Sequence, residues 1–289
     1  MEPFVRRSYD HIEKEKAVEL FELEGWNAEN GWLSAGFTGR HGGGSKVPYE
    51  SFNLALHVGD HPEDVLENRV LLEQELGFEP GAWTCGEQTH GTQIAIVTDE
   101  DRGKGRMDRE SAFQQTDGLV TNVPGILLTS FYADCVPLYF LDPVHRVVGL
   151  AHAGWKGTVG EIAAKMIAVM EQAYGSRREE IRTAIGPSIG SCCYEVDEAV
   201  ITRVRPVLDQ AGLQEIAAEP VFRESQNQGR KMLNLKELNR IIMIKAGILP
   251  THIECTTWCT SCHNTHFFSY RKENGVTGRM ASWIGMKER

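Results

Sequence analysis

Residues 125–154 read GILLTSFYADCVPLYFLDPVHRVVGLAHAG, and this stretch decides the fold. It is rich in β-branched, aromatic and aliphatic residues and is cut by turn formers around Asp142–His145, which predicts strands. The runs are apolar on consecutive positions rather than alternate ones, as in a sheet covered on both faces. Two further strand-like runs precede it, TQIAIVT (92–98) and DGLVT (117–121). Beyond it, AHAGWKGTVGE (151–161) leads into a helical pattern. Thr158 and Glu161 have capping-box spacing, and Val159, Ile162, Ala163, Met166 and Met170 share one face. A second helix is predicted over 60–77, with Asp60 and Glu63 as its capping pair, Pro62 in its first turn and Gly77 after its end. RTAIGPSIGSCCYEV (182–196) reads as strand, glycine turn, strand. NLKELNRIIMIKAG (234–247) reads as a helix capped by Asn234 and Glu237. No repeat or linker interrupts the pattern, so one mixed α/β domain is expected.

Outward from this core the chain says less. The first 34 residues are charged and predict a peripheral N-terminal segment, hairpin or helix, ahead of a domain over 35–289. The loop GRHGGGSKVPYESFN (39–53) would serve as lid, phosphate cradle or surface loop; it has neither Walker nor Rossmann spacing, which favours the surface loop. The 289 residues carry a formal charge of −10, which argues against a nucleic-acid partner. No apolar run approaches the ~18 residues of a membrane span, and the first 20 residues lack a signal-peptide pattern, so a cytoplasmic protein is expected. Seven cysteines in a chain of this size predict reduced thiols, some of them metal ligands.

Three side chains suited to metal binding or nucleophilic attack stand at turns or strand ends: His90 in GEQTHGTQ, Cys135 in FYADCVPLYF and His152 in LAHAGWKGT. The gaps of 45 and 17 residues (90 to 135, 135 to 152) are too long for a local knuckle but suit ligands gathered at neighbouring strand ends. Two imidazoles and a thiolate would leave a fourth position open on zinc, with copper as the competing metal. Cys135 as nucleophile with His152 as its base is an equally consistent reading. It gives no purpose to His90. A rival cluster lies in CTTWCTSCHNTH, where Cys255, Cys259, Cys262, His263 and His266 would wrap a structural zinc.

Taken in order, GFTGRHGGGS…SFNLALHVGD, EQTHGT, TDGLVT, ADCVPL, HAGWKGT, IGPSIGSCCYEV and FFSYRKENGVTGRMAS resemble the YfiH/YlmD family, over about 36–282. Its members have been called multicopper polyphenol oxidoreductases or laccases, and purine nucleoside phosphorylases. The resemblance implies an α+β fold, a single catalytic domain with a mixed β-sandwich flanked by helices, of a cysteine-hydrolase-like type. It implies zinc on His90, Cys135 and His152. It also implies phosphorolysis of adenosine, inosine and methylthioadenosine, with adenosine deamination alongside. Purine nucleosides and phosphate would be the partners.

Within that frame Asp134 would shuttle a proton beside Cys135. Lys156 and the helix start at Thr158 would hold phosphate. Arg40, Asn53 and Arg271 would contact phosphate or ribose, while His57 reads as a packing residue. Ser188 and Ser191 stand where the family usually has cysteine and proline, outside the proposed ligand set. The tail is richer in cysteine and histidine than the family pattern, which has no known zinc there. A copper-dependent laccase-like oxidase remains an alternative, although none of the 10 histidines forms an H-x-H pair. A cysteine or zinc hydrolase editing peptidoglycan precursors, and a non-enzymatic protein with structural zinc, also remain.

Overall fold

The stretch that opens the reading forms three strands: β7 (Leu127–Tyr132), β8 (Val136–Asp142) and β9 (Val147–Ala153). The computed structural model describes residues 1–7, 17–210 and 216–288. β8 and β9 form an antiparallel hairpin, whereas β7 belongs to a different sheet. The chain therefore changes sheets at Ala133–Cys135, and the residues of ADC sit at that crossing.

The first sheet runs β1-β2-β3-β15-β7-β4, with β1 (Phe4–Arg6), β2 (Leu20–Leu23), β3 (Leu33–Thr38), β4 (Trp83–Cys85) and β15 (Met280–Met286). The second runs β14-β10-β8-β9-β6-β5, with β5 (Ile94–Ile96), β6 (Gly118–Thr121), β10 (Arg182–Ile185) and β14 (Ile253–Cys255). A small third sheet joins β11 (Glu195–Val196), β13 (Lys231–Leu233) and β12 (Phe222–Glu224). Three pairs, β4/β7, β5/β6 and β10/β14, are parallel within otherwise antiparallel sheets.

Side-chain alternation sorts the two large sheets into layers. Leu128, Tyr132 and Ile284 of the first sheet pack against Tyr139, Leu141, Val148 and Leu150 of the second. The opposite face of the second sheet, with Val136, Leu138 and Phe140, is covered by α4 (Ile162–Tyr174), α5 (Glu198–Leu208) and α6 (Leu235–Lys245). The opposite face of the first, with Leu127, Phe131 and Trp283, is covered by α2 (Pro62–Leu76). Helix, sheet, sheet, helix explains the unbroken apolar runs, because neither face of either central strand meets water. Each large apolar side chain so buried contributes about 1.5–3 kcal/mol. The result is a single α+β domain with mixed sheets.

Three expectations are corrected. The N-terminal segment is not peripheral: β1 and β2 complete the first sheet, α1 (Glu24–Glu29) follows, and Phe4, Phe21 and Trp26 are fully buried. β1, β2 and β3 pair in succession, and β3 carries them into the core by pairing with β15 at the other end of the chain, of which local charge patterning gives no sign; residues 8–16 lie outside the described residues. Asp60 does not cap α2, since its carboxylate accepts from Asn53 Nδ2 (2.9 Å) and the His61 amide (2.9 Å) while His61 takes the N-cap position. Thr158 and Glu161 do not form a capping box either. A short α3 (Trp155–Val159) ends before Glu161, which adopts φ 58°, and α4 begins afresh at Ile162. Buried Thr158 accepts a hydrogen bond from Asn239 Nδ2 on α6 (3.0 Å).

Candidate active site

Strand register gathers the proposed ligands. In the β8/β9 hairpin Val136 lies opposite Ala153 and Pro137 opposite His152, so Cys135 falls beside the end of β9. β6 pairs with the other edge of β9, Gly118 facing Ala151, which sets Asp117 next to His152; the His152 amide donates to the Asp117 carbonyl (2.8 Å). β5 adds to β6 in parallel, and the turn before it carries His90 at φ 61°. Residues separated by up to 62 positions (90 to 152) thus meet at one sheet end, where the ligand atoms of His90, Cys135 and His152 lie within 4.8 Å of one another.

Asp117 organises this meeting. Its carboxylate accepts from His152 Nδ1 (2.8 Å) and from the amides of Thr89 (3.1 Å), His90 (3.0 Å) and Gly91 (2.8 Å). One buried carboxylate therefore pins the His90 turn and commits His152 Nδ1, leaving Nε2 as the free ring nitrogen. This is the carboxylate–histidine arrangement that orients metal-binding imidazoles. Burial opposes its charge, yet the bonds from His152 and from the Gly91 and Thr89 amides outweigh that and hold its pKa below the usual value. Gly154 is required by the close approach: a Cβ there would stand 2.8 Å from His90 Cδ2 and 3.1 Å from Cys135 Sγ.

Electrostatically the three donors behave as a set. His90 Nε2 lies 3.8 Å from Cys135 Sγ, and the two imidazole centroids are 4.8 Å apart. Burial raises the Cys135 thiol, but His152 and His90 overcome it and bring the pKa down to about 6. Burial lowers His152, but the Cys135 thiolate and Asp117 carry it up to about 9. Without metal the site holds a thiolate–imidazolium pair. The two nitrogen donors and one sulfur, with room for a fourth ligand, fit a single zinc or copper ion.

The triad stands in a cavity of about 700 Å³. Phe131, Tyr194 and Tyr270 give it aromatic walls, and Arg69, Arg109, Arg271 and Arg279 line it as well. Arg109 is neutralised by Glu87 (2.6 Å). Arg69 is buried, lies over the Trp83 and Phe131 rings, and donates to the carbonyls of Leu54, Gly105 and Arg106. Arg279 donates to the carbonyls of Thr277 and Gly278 and lies over Tyr270, so its charge is held by neutral partners. His57 also lines the cavity rather than merely packing. Burial, followed by Arg279, Arg109 and Arg69, drives its pKa down to about 4.

The expected substrate residues divide. Asp134 and Arg271 line the cavity with the triad. Asp134, at φ 93°, accepts from Thr260 Oγ1 (2.6 Å) and the Arg271 amide (2.7 Å); burial raises its pKa despite those bonds. Arg40, Asn53, Lys156 and Thr158 are not among the cavity-lining residues. Arg40 is tied to the Glu50 and Asn264 carbonyls and to Glu273. Asn53 acts at one remove, its Oδ1 accepting from the Arg279 amide (2.9 Å). Lys156 is exposed and Thr158 is buried against α6, because the expected helix start at Thr158 lies inside α3. Asp117, Arg69 and Arg279 had no assigned role in the sequence reading, although TDGLVT and GRMAS lay within the quoted motifs. The only signal for Asp117 was a carboxylate at the start of a strand.

The chain is similar to known proteins over most of its length. The family model described as multi-copper polyphenol oxidoreductase laccase matches residues 34–287. The purine nucleoside phosphorylase YlmD of Geobacillus stearothermophilus is 44% identical over 254 residues, 88% of this chain and 90% of that protein. The Bacillus subtilis protein of the same name is 41% identical over 265 residues, 91% of each chain. The crystal structure of YlmD from Geobacillus stearothermophilus superposes with a TM-score of 0.88 at 40% identity, covering 99% of this chain and all of that one. That of the Bacillus licheniformis hypothetical protein YfiH gives 0.86 at 41% identity, covering 96% of this chain and all of its own. The chain belongs to the multi-copper polyphenol oxidoreductase laccase family, with the YlmD and YfiH proteins as its relatives.

Proposed function

We propose that this chain is a zinc-dependent purine nucleoside phosphorylase acting on adenosine, inosine and methylthioadenosine, with adenosine deaminase activity alongside. The observation that carries the reading is one cavity holding both the His90–Cys135–His152 donor set and the weakly compensated guanidinium groups of Arg69 and Arg279. The names of the YlmD relatives support it. His90, Cys135 and His152 would hold the zinc, which when bound supplies Lewis acidity. Arg279 and Arg69 receive the phosphate, whose two charges need cationic donors that no carboxylate has already claimed. Tyr194 and Tyr270 flank the purine, whose flat face suits aromatic walls. Phosphate oxygen bonds to the anomeric carbon as the bond to the purine nitrogen breaks, and the departing base takes a proton. Asp134, whose burial favours its protonated form, would handle that proton.

Protein purified without added metal is expected to contain zinc and to convert adenosine and inosine to free base only when phosphate is present. Turnover unchanged after a strong chelator has removed the metal would overturn the reading. Replacing Arg279 with alanine is expected to raise the KM for phosphate roughly 10- to 100-fold, the equivalent of about 1.5–3 kcal/mol for hydrogen bonds to a charged group, with a smaller effect on the KM for nucleoside. Equal changes in both would remove Arg279 from the phosphate site.

Two observations favour other chemistry at the same residues. A histidine–histidine–cysteine set also suits copper, and phenol oxidation by copper-loaded protein would test a laccase-like activity. The thiolate–imidazolium pair suits a cysteine nucleophile acting on peptidoglycan precursors, and muropeptide nucleotides assayed beside adenosine separate that reading.

A further inference from the structure

The tail cluster is not assembled as its spacing predicts. Cys255 Sγ turns to the Thr256 carbonyl, His263 Nδ1 meets the Cys259 carbonyl (3.0 Å), and His266 Nδ1 pairs with Glu19 (2.7 Å). Cys259 and Cys262 instead face two cysteines from SCCYEV, nearly 70 residues earlier. The sulfurs of Cys192, Cys193, Cys259 and Cys262 all lie within 4.8 Å of one another, with Cys262 Sγ 3.4 Å from both Cys192 and Cys193.

We propose that Cys192, Cys193, Cys259 and Cys262 form a second, structural zinc site that locks one wall of the cavity. Four sulfurs at about 2.3 Å from a tetrahedral zinc stand about 3.8 Å apart, close to the separations in this cluster, whereas a disulfide needs about 2.05 Å. Cys262 is equally near two thiols, so the sulfurs are not sorted into two discrete pairs as disulfides would require, while a single ion uses all four. C-x2-C at 259–262 is the usual half-site of a zinc knuckle, and the vicinal pair supplies the other half. The backbone is shaped for the sulfurs. The Gly190 amide donates to Cys259 Sγ (3.1 Å), and a Cβ on Gly190 would stand 3.1 Å from Cys192 Sγ and 3.4 Å from Cys259 Sγ.

The cluster lies outside the cavity-lining residues but at the root of the two segments that build its wall. Ser188 bridges to Cys259 in parallel, and the Thr260 amide donates to the Ser188 carbonyl (3.1 Å). From the first segment Ile189 and Tyr194 enter the cavity; from the second come Tyr270 and Arg271. Arg271 Nη1 ties back to the Glu195 carbonyl (2.8 Å), and Thr260 holds Asp134. Zinc would join these loops by coordination, releasing the thiol protons as it binds.

The test is metal stoichiometry, which does not depend on what the cavity turns over. Native mass spectrometry of wild-type protein kept reduced is expected to find a zinc ion beyond the one removed by Cys135→Ala. Cys262→Ser and Cys192→Ser should each lose that additional equivalent while retaining the triad's. In cobalt-substituted protein, the sulfur-to-metal charge-transfer absorption should fall steeply in Cys262→Ser and persist in Cys135→Ala. Added zinc should also protect all four wild-type thiols from alkylation, a readout that needs no variant to fold. Equal zinc content in wild type and both serine variants, alkylation unaffected by zinc, or a native mass lower by two or four hydrogens that reductant restores would each overturn the site.

Discussion

Cys135→Ala protein is expected to purify without the metal of the His90–Cys135–His152 site and to lose nucleoside phosphorolysis. The thiolate is the one anionic donor among the three, and it stands within reach of both imidazoles. Its loss should weaken metal binding by more than the roughly 10- to 100-fold that removal of a supporting outer residue costs. Metal analysis and an adenosine assay with phosphate measure both effects, and full loading in the variant would end the assignment. A pH signature accompanies them in metal-free protein. The Cys135 pKa is depressed to about 6, so its stabilising contribution is lost as pH falls through that value. The His152 pKa is raised to about 9, so its contribution is lost as pH rises through that value. The ion pair exists between them. The difference in Tm between metal-free wild type and Cys135→Ala should therefore be greatest between about pH 6 and 9 and shrink on either side. A pH-independent difference would mean that the alanine acts through packing alone.

What could be read in advance follows from where each signal resides. The apolar runs of 127–132, 136–142 and 147–153 announced strands buried on both faces, and the layers that cover them are why. His90, Cys135 and His152 were legible because few other residue types bind a metal, and each stood at a turn or strand end. The pairing of the first strands was not legible. Phe4 and Trp26 are core residues only because β1 and β2 join β3, and nothing in the charged stretch around them records that partnership. Arg69 was hidden by its own helix: arginine on α2 reads as solvated surface, yet here it is buried beneath the cavity over Trp83 and Phe131. Thr158 shows the opposite failure. Its capping-box spacing was genuine as a pattern, but the φ of 58° at Glu161 broke the helix where the pattern required continuity. The proposed anion site consequently moves from a helix end to arginine side chains that line the cavity.

Asp117→Ala should weaken metal binding roughly 10- to 100-fold even though Asp117 is not a ligand. The carboxylate acts on two of the three ligands at once, through His152 Nδ1 and through the amides that shape the His90 turn. Alanine frees the His152 ring to choose its tautomer and removes the acceptor that the Thr89, His90 and Gly91 amides share, loosening the turn. Both metal affinity and Tm should therefore fall. Asp117→Asn separates the two effects. It preserves the volume and one acceptor oxygen, but sets an NH2 group against donors that all point inward, so Tm should recover in part while metal affinity stays low. Because the Asp117 pKa is depressed in the folded protein, its contribution is fully present above the ordinary aspartate value near ~3.9 and is lost only as pH falls through the depressed one. The defect should accordingly persist across neutral pH and should not be repaired by raising it. Competition against a chelating dye at several pH values measures this directly. Wild-type affinity in Asp117→Asn would show that the imidazoles find the metal without the carboxylate, and that Asp117 serves only to hold the turn.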